Sequence, residues 1–196
     1  TYQIEVYGTR MHTDYDNDEH TLRTNKIKGN KDNYYDLSRY DLKESKIPQS
    51  TANCYIVDAA GYYKLPLVYG NAIKNDQTNS SAYDNSAFTD YKGNRINGPW
   101  ITGADDATLV WSDGFFMFKD IKLSEDKKYL MFRIDPDYLQ QANAVLAVRD
   151  ANGDIMWSWH IWVTERDIYT TTHTIEDYFN TSNSFKLMSC NLGWVD

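Results

Sequence analysis

The sequence predicts an all-β protein, an antiparallel β-sandwich with long surface loops and at most one or two short helical turns. Three observations support this fold class. Asn152-Gly153 separates two runs rich in β-branched and aromatic residues, which is a strong signal for a β-hairpin. Further short runs are apolar or alternate between apolar and polar residues, as sheet strands do. Stretches rich in Asn, Ser, Asp and Gly lie between these runs and indicate loops.

The hairpin predicted over residues 143–163 is the centre of this fold. We expect Asn152 and Gly153 to form a type I′ turn, which needs positive φ at both central residues. The resulting register pairs small or medium residues with large ones on one face: Val148 with Trp157, Leu146 with Trp159, and Ala144 with Ile161. Arg149, Met156, Ser158 and His160 then point to the opposite face. This alternation predicts that Trp157 and Trp159 belong to the core.

Two motifs in the same hairpin resemble functional sites. Asp150, Asn152 and Asp154 have the spacing of the first calcium ligands of an EF-hand loop, but Ile155 occupies the position that requires glycine. We therefore interpret these residues as a turn. His160 lies among tryptophans in a strand, where a hydrogen-bonded structural role is more common than acid–base chemistry. A run of acidic residues at positions 14–19 is interpreted as solvated loop charge rather than a calcium site.

The length of 196 residues is enough for one large β-domain or for one domain with an appendage. We expect residues 1–50 to contain an N-terminal strand (residues 1–8) and a polar hairpin or linker, or to be part of a preceding module. Residues 51–196 are expected to form the main β-sandwich, whole or truncated at its C-terminus. Because the first residue is Thr, we expect a mature or trimmed form.

The strands of the main domain are predicted from its apolar runs. Residues 52–57 and 62–68 are expected to be antiparallel neighbours. Residues 70–108 are predicted to be one long surface excursion. The remaining strands are predicted at residues 108–112, 115–123, 128–134 and 185–190. Asp135 and Pro136 are typical of the N-cap and first position of a short helical turn.

Charge and cysteine content restrict the function. The net charge of -8 argues against nucleic acid as a partner, because phosphate binding needs clustered Lys and Arg. No apolar run is long enough to span a membrane. The two cysteines, Cys54 and Cys190, lack the spacing of a metal or CxxC motif. They form either a disulfide, worth about 4–5 kcal/mol by chain entropy, or two buried thiols.

Five segments together resemble the fimbrillin family of surface proteins from Bacteroides-type gut bacteria. These are Thr-Ala-Asn-Cys-Tyr-Ile-Val at residues 51–57, the run at 63–72, the run at 142–148, Trp-Ser-Trp-His-Ile-Trp-Val at 157–163, and Asn-Leu-Gly at 191–193. The resemblance implies an exported β-sandwich on the outer cell surface or in a fimbrium, typically lipid-anchored through its precursor. It implies no catalytic residues.

We therefore expect a non-enzymatic cell-surface module, a structural or adhesive component whose partners are other surface or fimbrial subunits. The alternative is a glycan-binding surface lipoprotein that uses exposed aromatic rings, with Trp100, Trp111 and Trp194 as the candidate ligand contacts. The sequence contains no Gly-x-Ser-x-Gly, His-Glu-x-x-His or phosphate-loop motif. Neither a metal nor a cofactor is expected.

Overall fold

The computed structural model describes residues 21–41, 43–84, 88–165, 173–177 and 180–187. Residues 21–24 are helical, and the strands follow in chain order. The strands are β1 (Tyr35–Asp36), β2 (Cys54–Val57), β3 (Gly61–Pro66), β4 (Ile73–Lys74), β5 (Gln77–Thr78), β6 (Asp106–Ser112), β7 (Phe118–Leu123), β8 (Tyr129–Ile134), β9 (Ala142–Arg149), β10 (Ile155–Val163), β11 (His173–Asp177) and β12 (Asn180–Leu187).

Two four-stranded sheets form the body of the fold, which confirms the predicted all-β class. One sheet has the order β1-β3-β8-β7 and the other β2-β10-β9-β6. Leu65 and Phe132 of the first sheet share a buried core with Leu146 and Trp159 of the second. The pairs β1/β3 and β2/β10 are parallel, while the remaining pairs of these sheets are antiparallel.

The central hairpin is formed by β9 and β10, and its predicted register is confirmed. Val148 pairs with Trp157, Leu146 with Trp159, and Ala144 with Ile161. The expected type I′ turn is wrong, because Gly153 has φ +88° while Asn152 lacks a positive φ. The side chain of Asp150 explains the difference, since its Oδ1 accepts hydrogen bonds from the backbone N–H of Asn152 at 2.9 Å and Asp154 at 3.1 Å. These bonds stabilise a wider loop.

A β-bulge between Ile155 and Trp157 changes which residues face the core. Met156 was expected on the outer face, but it is buried with the core residues. Trp159 is buried as predicted, with 1% of its surface exposed. Trp157 is half-buried and packs against the edge of the core. The extra residue of a bulge shifts the alternation, which a strict period of two does not anticipate.

The expected antiparallel pairing of residues 52–57 with 62–68 is wrong. β2 lies parallel to β10, whereas β3 lies antiparallel to β8 in the other sheet. The chain crosses from one sheet to the other between β2 and β3 instead of turning back. Ala59 and Ala60, which lie in this connection, are buried. Gly61 permits this crossing, because a Cβ at this position would lie 2.1 Å from the carbonyl oxygen of Lys28.

The described residues of the N-terminal region pack onto the main core. Leu22 is fully buried and Leu37 is 9% exposed, both within the core cluster. β1 also extends the first sheet by pairing with β3. Leu22 and Leu37 therefore contribute to the same core as the residues of the two main sheets. The strand predicted over residues 1–8 and the acidic run at 14–19 lie outside the described residues.

The long excursion over residues 70–108 has structure of its own. β4 and β5 form a small hairpin, and a 3-10 turn covers Ser80–Ala82. A second apolar cluster supports this region and consists of Val68, Ala72, Ile73, Tyr83 and Ile96. The expectation of a single surface loop missed this cluster because its apolar residues are spread over positions 68–96.

The other local predictions agree with the structure. β6, β7 and β8 overlap the strands predicted at residues 108–112, 115–123 and 128–134, but β6 begins earlier, at Asp106, and β7 begins later, at Phe118. A 3-10 turn covers Pro136–Tyr138, and the Asp135 side chain accepts a hydrogen bond from the backbone N–H of Asp137 at 3.2 Å. Near the C-terminus β12 ends at Leu187 and pairs with β11. Residues 188–190 of the strand predicted there lie outside the described residues.

Candidate functional sites

An open cleft of about 640 Å³ lies between residues 100–103 and 126–129. Trp100 lines this cleft and is 39% exposed. Its backbone is held by an antiparallel bridge to Val68. Tyr129, at the start of β8, also lines the cleft, and its ring lies 4.5 Å from the ammonium nitrogen of Lys64. The cleft thus combines an accessible indole with a second aromatic ring held in place by a cation.

Charged groups at the same cleft come from the turn before β8. The Asp126 carboxylate accepts hydrogen bonds from the Ser124 hydroxyl at 2.6 Å and the Lys128 backbone N–H at 3.1 Å. These bonds, the Ser124 bond foremost, lower the pKa of Asp126. Lys127 forms an exposed ion pair with Asp105 at 3.3 Å. An aromatic face beside an ionised carboxylate suits a ligand with one apolar face and several hydroxyls.

A second candidate surface lies along β6, which is one of the two edge strands of its sheet among the described residues. Leu109, Val110 and Trp111 are 37%, 48% and 52% exposed. A register shift between Leu109 and Trp111 interrupts the pairing with β9, and the consecutive exposed residues lie at this irregularity. Trp111 is therefore exposed, but it is not among the residues that line the cleft of Trp100.

The loop after β6 extends this apolar surface. Phe115 is 75% exposed and Phe116 is 69% exposed. The Phe116 ring lies 5.7 Å from that of Tyr138, and the Lys119 ammonium nitrogen lies 5.6 Å from the Phe116 ring centroid. We call Leu109, Val110, Trp111, Phe115, Phe116 and Tyr138 the β6 patch. Exposed apolar patches on proteins commonly mark interaction sites.

His160 makes side-chain contacts that the sequence did not indicate. Its Nδ1 lies 3.1 Å from Cys54 Sγ, and its Nε2 lies 2.9 Å from Asn143 Oδ1. Burial lowers the pKa of His160, and the nearby Asp113 carboxylate opposes that shift. Local sequence could not reveal the Cys54 contact, because it depends on the parallel pairing of β2 with β10. The Asn143 contact lies within the hairpin of β9 and β10.

The Asp150 carboxylate is engaged within the protein rather than arranged as an EF-hand ligand. Besides its two bonds in the hairpin loop, its Oδ2 accepts a hydrogen bond from the Tyr91 hydroxyl at 2.7 Å and lies 3.4 Å from Lys92 Nζ. The Tyr91 bond is the largest cause that lowers the pKa of Asp150 to about 2. Across the part of the chain that the structure describes, no three His, Cys, Asp or Glu residues are grouped to hold a metal ion.

Two predicted residues, Cys190 and Trp194, lie outside the described residues, so neither the Cys54–Cys190 bond nor the Trp194 contact is tested. Comparisons with protein-family models, curated proteins and solved structures find no match to this chain. Among the described residues, no helix has the length and apolar character needed to cross a membrane.

Proposed function

We propose that this chain is a non-enzymatic module of the outer cell surface, exported and used as a structural or adhesive component of a fimbria-like or related assembly. The sequence resemblance to fimbrillins supports this proposal. The observation that carries it is the β6 edge with its exposed apolar side chains. The partners would be other surface or fimbrial subunits.

The β6 edge has the chemistry needed to accept a strand from a neighbour. An edge strand presents backbone N–H and C=O groups that an added strand can pair with. Within the described residues no strand pairs with the free side of β6. Its central residues, Thr108 to Trp111, include no charged residue and no proline. Val110 and Trp111 would add side-chain contacts to the backbone hydrogen bonds of an incoming strand.

The opposite sheet has an edge that is protected against such pairing. β7 carries Lys119, Asp120 and Lys122 along its length. Asp120 has a positive φ of 51°, and the pairing with β8 is irregular between Lys119 and Lys122. Charges and irregular backbone are common devices that prevent edge-to-edge association. The contrast favours β6 as the side on which a partner strand is added.

Photo-crosslinking in the producing cells tests this proposal. A benzophenone amino acid at position 110 is expected to give a discrete adduct with a neighbouring subunit. The same group at position 27 is the control. Ile27 is also exposed, at 58%, but the residue after it, Lys28, bridges to the start of β3, which belongs to the other sheet. An absent adduct at position 110, or equal adducts at both positions, would contradict strand addition at β6.

Glycan binding is the second candidate, favoured by the cleft that Trp100 and Tyr129 line. A sugar ring stacked on the Trp100 indole would leave its hydroxyls near the Asp126 carboxylate. On a glycan array, Trp100→Ala should weaken binding at least about tenfold, which corresponds to about 1.4 kcal/mol. Trp111→Ala removes an equally large exposed ring from another surface and should leave binding unchanged. A wild-type chain that binds no glycan, or equal losses in both variants, would reject this candidate.

A further inference from the structure

A second, smaller pocket of about 240 Å³ lies where the residue before β2, the segment after β3, the first half of β10 and residues 88–96 meet. It shares no lining residue with the Trp100 cleft. Two of its walls are aromatic, because the rings of Trp157 and Tyr69 lie 5.1 Å apart between centroids and stand nearly perpendicular, at 89°. Two perpendicular rings form a corner that contacts a flat ligand on one face and along one edge.

The side-chain amide of Asn53 has a defined orientation in this pocket. Its Oδ1 accepts a hydrogen bond from the Trp157 indole N–H at 3.1 Å. An indole N–H only donates, so the amide oxygen faces Trp157 and the NH₂ group points away from it. Nδ2 lies against Gly70, where a Cβ would be 3.2 Å away. Among the described residues no group accepts a hydrogen bond from Nδ2, so this donor is available to a ligand.

The pocket is supported by the second apolar cluster. Ile96 lines the pocket and is 6% exposed within that cluster, against which Tyr69 also packs. The Tyr69 backbone N–H donates to the Pro99 carbonyl at 2.9 Å, and the Tyr69 carbonyl accepts from the Ala72 N–H at 2.9 Å. These contacts form without a ligand, so a bound molecule would lose little free energy to ordering the pocket.

The lining of the pocket is neutral. Of the described residues that line it, none has a charged side chain, whereas the Trp100 cleft includes Asp126 and Lys127. Burial raises the pKa of Tyr69, so its hydroxyl stays uncharged at neutral pH. A charged ligand would lose hydration here without gaining an ion partner. The volume is below the about 300–1,000 Å³ of pockets for drug-sized ligands, which favours a single ring.

We propose that this pocket binds one neutral sugar ring, either free or at the end of a glycan. Such a ring has an apolar face of C–H groups for the Trp157 indole. Its oxygens can accept from the Asn53 NH₂ group and bond with the Thr89 hydroxyl at the rim. A wholly apolar ring would leave these polar groups unused. The site lies apart from the β6 edge and the Trp100 cleft, so the inference does not depend on the proposed function.

Saturation-transfer NMR tests this site with the methyl glycosides of glucose, galactose, mannose, fucose, N-acetylglucosamine and N-acetylgalactosamine, each titrated to ~20 mM. We expect saturable binding of at least one of them. In Asn53→Asp the carboxylate still accepts from the Trp157 N–H but has no donor for the ligand. Because Asn53 is exposed, this variant should keep its fold, which circular dichroism checks, and should bind at least about tenfold more weakly.

Trp100→Ala is the matched control, since it removes an exposed ring from the other cleft and should leave the affinity unchanged. The wild-type chain gives a reading that needs no substitution: methyl glucuronide, which carries a carboxylate, should bind more weakly than the best neutral glycoside. Failure of all six neutral glycosides to bind would overturn the proposal. So would equal affinities of the wild type and a folded Asn53→Asp variant. Loss of binding in Trp100→Ala alone would place the sugar in the Trp100 cleft, which would support the second candidate function and reject this site.

Discussion

The two faces of the sheet β2-β10-β9-β6 differ sharply although they alternate along the same strands. On the inner face, Leu146, Trp159 and Ile161 have at most 1% of their surface exposed. On the outer face, His160 is partly exposed and Trp111 is 52% exposed. The inner side chains fill volume, whereas the outer ones form hydrogen bonds or meet solvent. Burial on the inner face therefore supplies most of the hydrophobic stabilisation, while side chains of the outer face are accessible to a partner.

The largest effect is expected from Trp159→Ala, which removes the largest side chain of the inner face. Loss of a buried tryptophan should lower the free energy of unfolding by about 3–5 kcal/mol. Chemical denaturation followed by circular dichroism measures this change. A loss below about 1 kcal/mol, typical of surface positions, would show that the inner face does not carry the stability assigned to it.

Trp159→Phe is the matched control for that experiment. The Trp159 indole N–H is buried without a hydrogen-bond partner in the described structure, so phenylalanine removes an unsatisfied donor while keeping most of the ring. Its cost should be less than about half that of the alanine variant. Equal costs for the two variants would indicate that ring shape, rather than buried volume, determines stability at this position.

The pairing within the hairpin of β9 and β10 was predictable from the sequence. The pairing of Leu146 with Trp159 follows from one turn and a period of two, because the strands are adjacent in the chain. The partner of β2 was not predictable in the same way. Cys54 and His160 are 106 residues apart, and many pairings across that distance satisfy the same apolar pattern.

The candidate site residues also differ in whether local sequence alone could identify them or whether strand pairing was needed. Trp100 and Trp111 were named as candidate ligand contacts because the alternation that assigns Trp157 and Trp159 to the core does not include them. His160 was interpreted as a hydrogen-bonded structural residue, and its contacts with Cys54 and Asn143 agree with that interpretation. The contact of Asn143 with His160 was missed, although the predicted hairpin register places Asn143 on β9 two residues from Val145, the pairing partner of His160. Contacts between side chains on different strands can be predicted only where the register of those strands is known. The bulge beside Met156 shows that a strict alternation does not give the facing of every residue.

A smaller effect is expected at the hairpin loop, which belongs to neither face. The Asp150 carboxyl has its pKa lowered from 3.8 to about 2. A carboxyl whose pKa is lower in the folded than in the unfolded state stabilises the fold at pH values above its unfolded-state pKa. That contribution is lost as the pH falls through the folded-state pKa. Asp150→Asn should therefore lower Tm at neutral pH, and its difference from wild type should shrink between about pH 4 and pH 2.

Tyr91→Phe separates the contributions to this effect, since it removes only the hydroxyl that donates to Asp150. It should reproduce part of the Tm decrease and part of the pH dependence. Thermal melts across the acid range provide the measurement. A Tm difference for Asp150→Asn that stays constant down to about pH 2 would mean that the charge of Asp150 does not stabilise the loop.

The smallest effect is expected from Trp111→Ala on the outer face. The indole is 52% exposed on the edge strand β6, so its removal should change the free energy of unfolding by no more than about 0.5–1 kcal/mol, as surface substitutions do. The same variant should reduce crosslinking from position 110, because Trp111 contributes contact area to the proposed partner. Loss of assembly without loss of stability would separate the two faces by function. A destabilisation comparable to that of Trp159→Ala would instead show that the β6 patch is part of the core, and strand addition there would lose its main support.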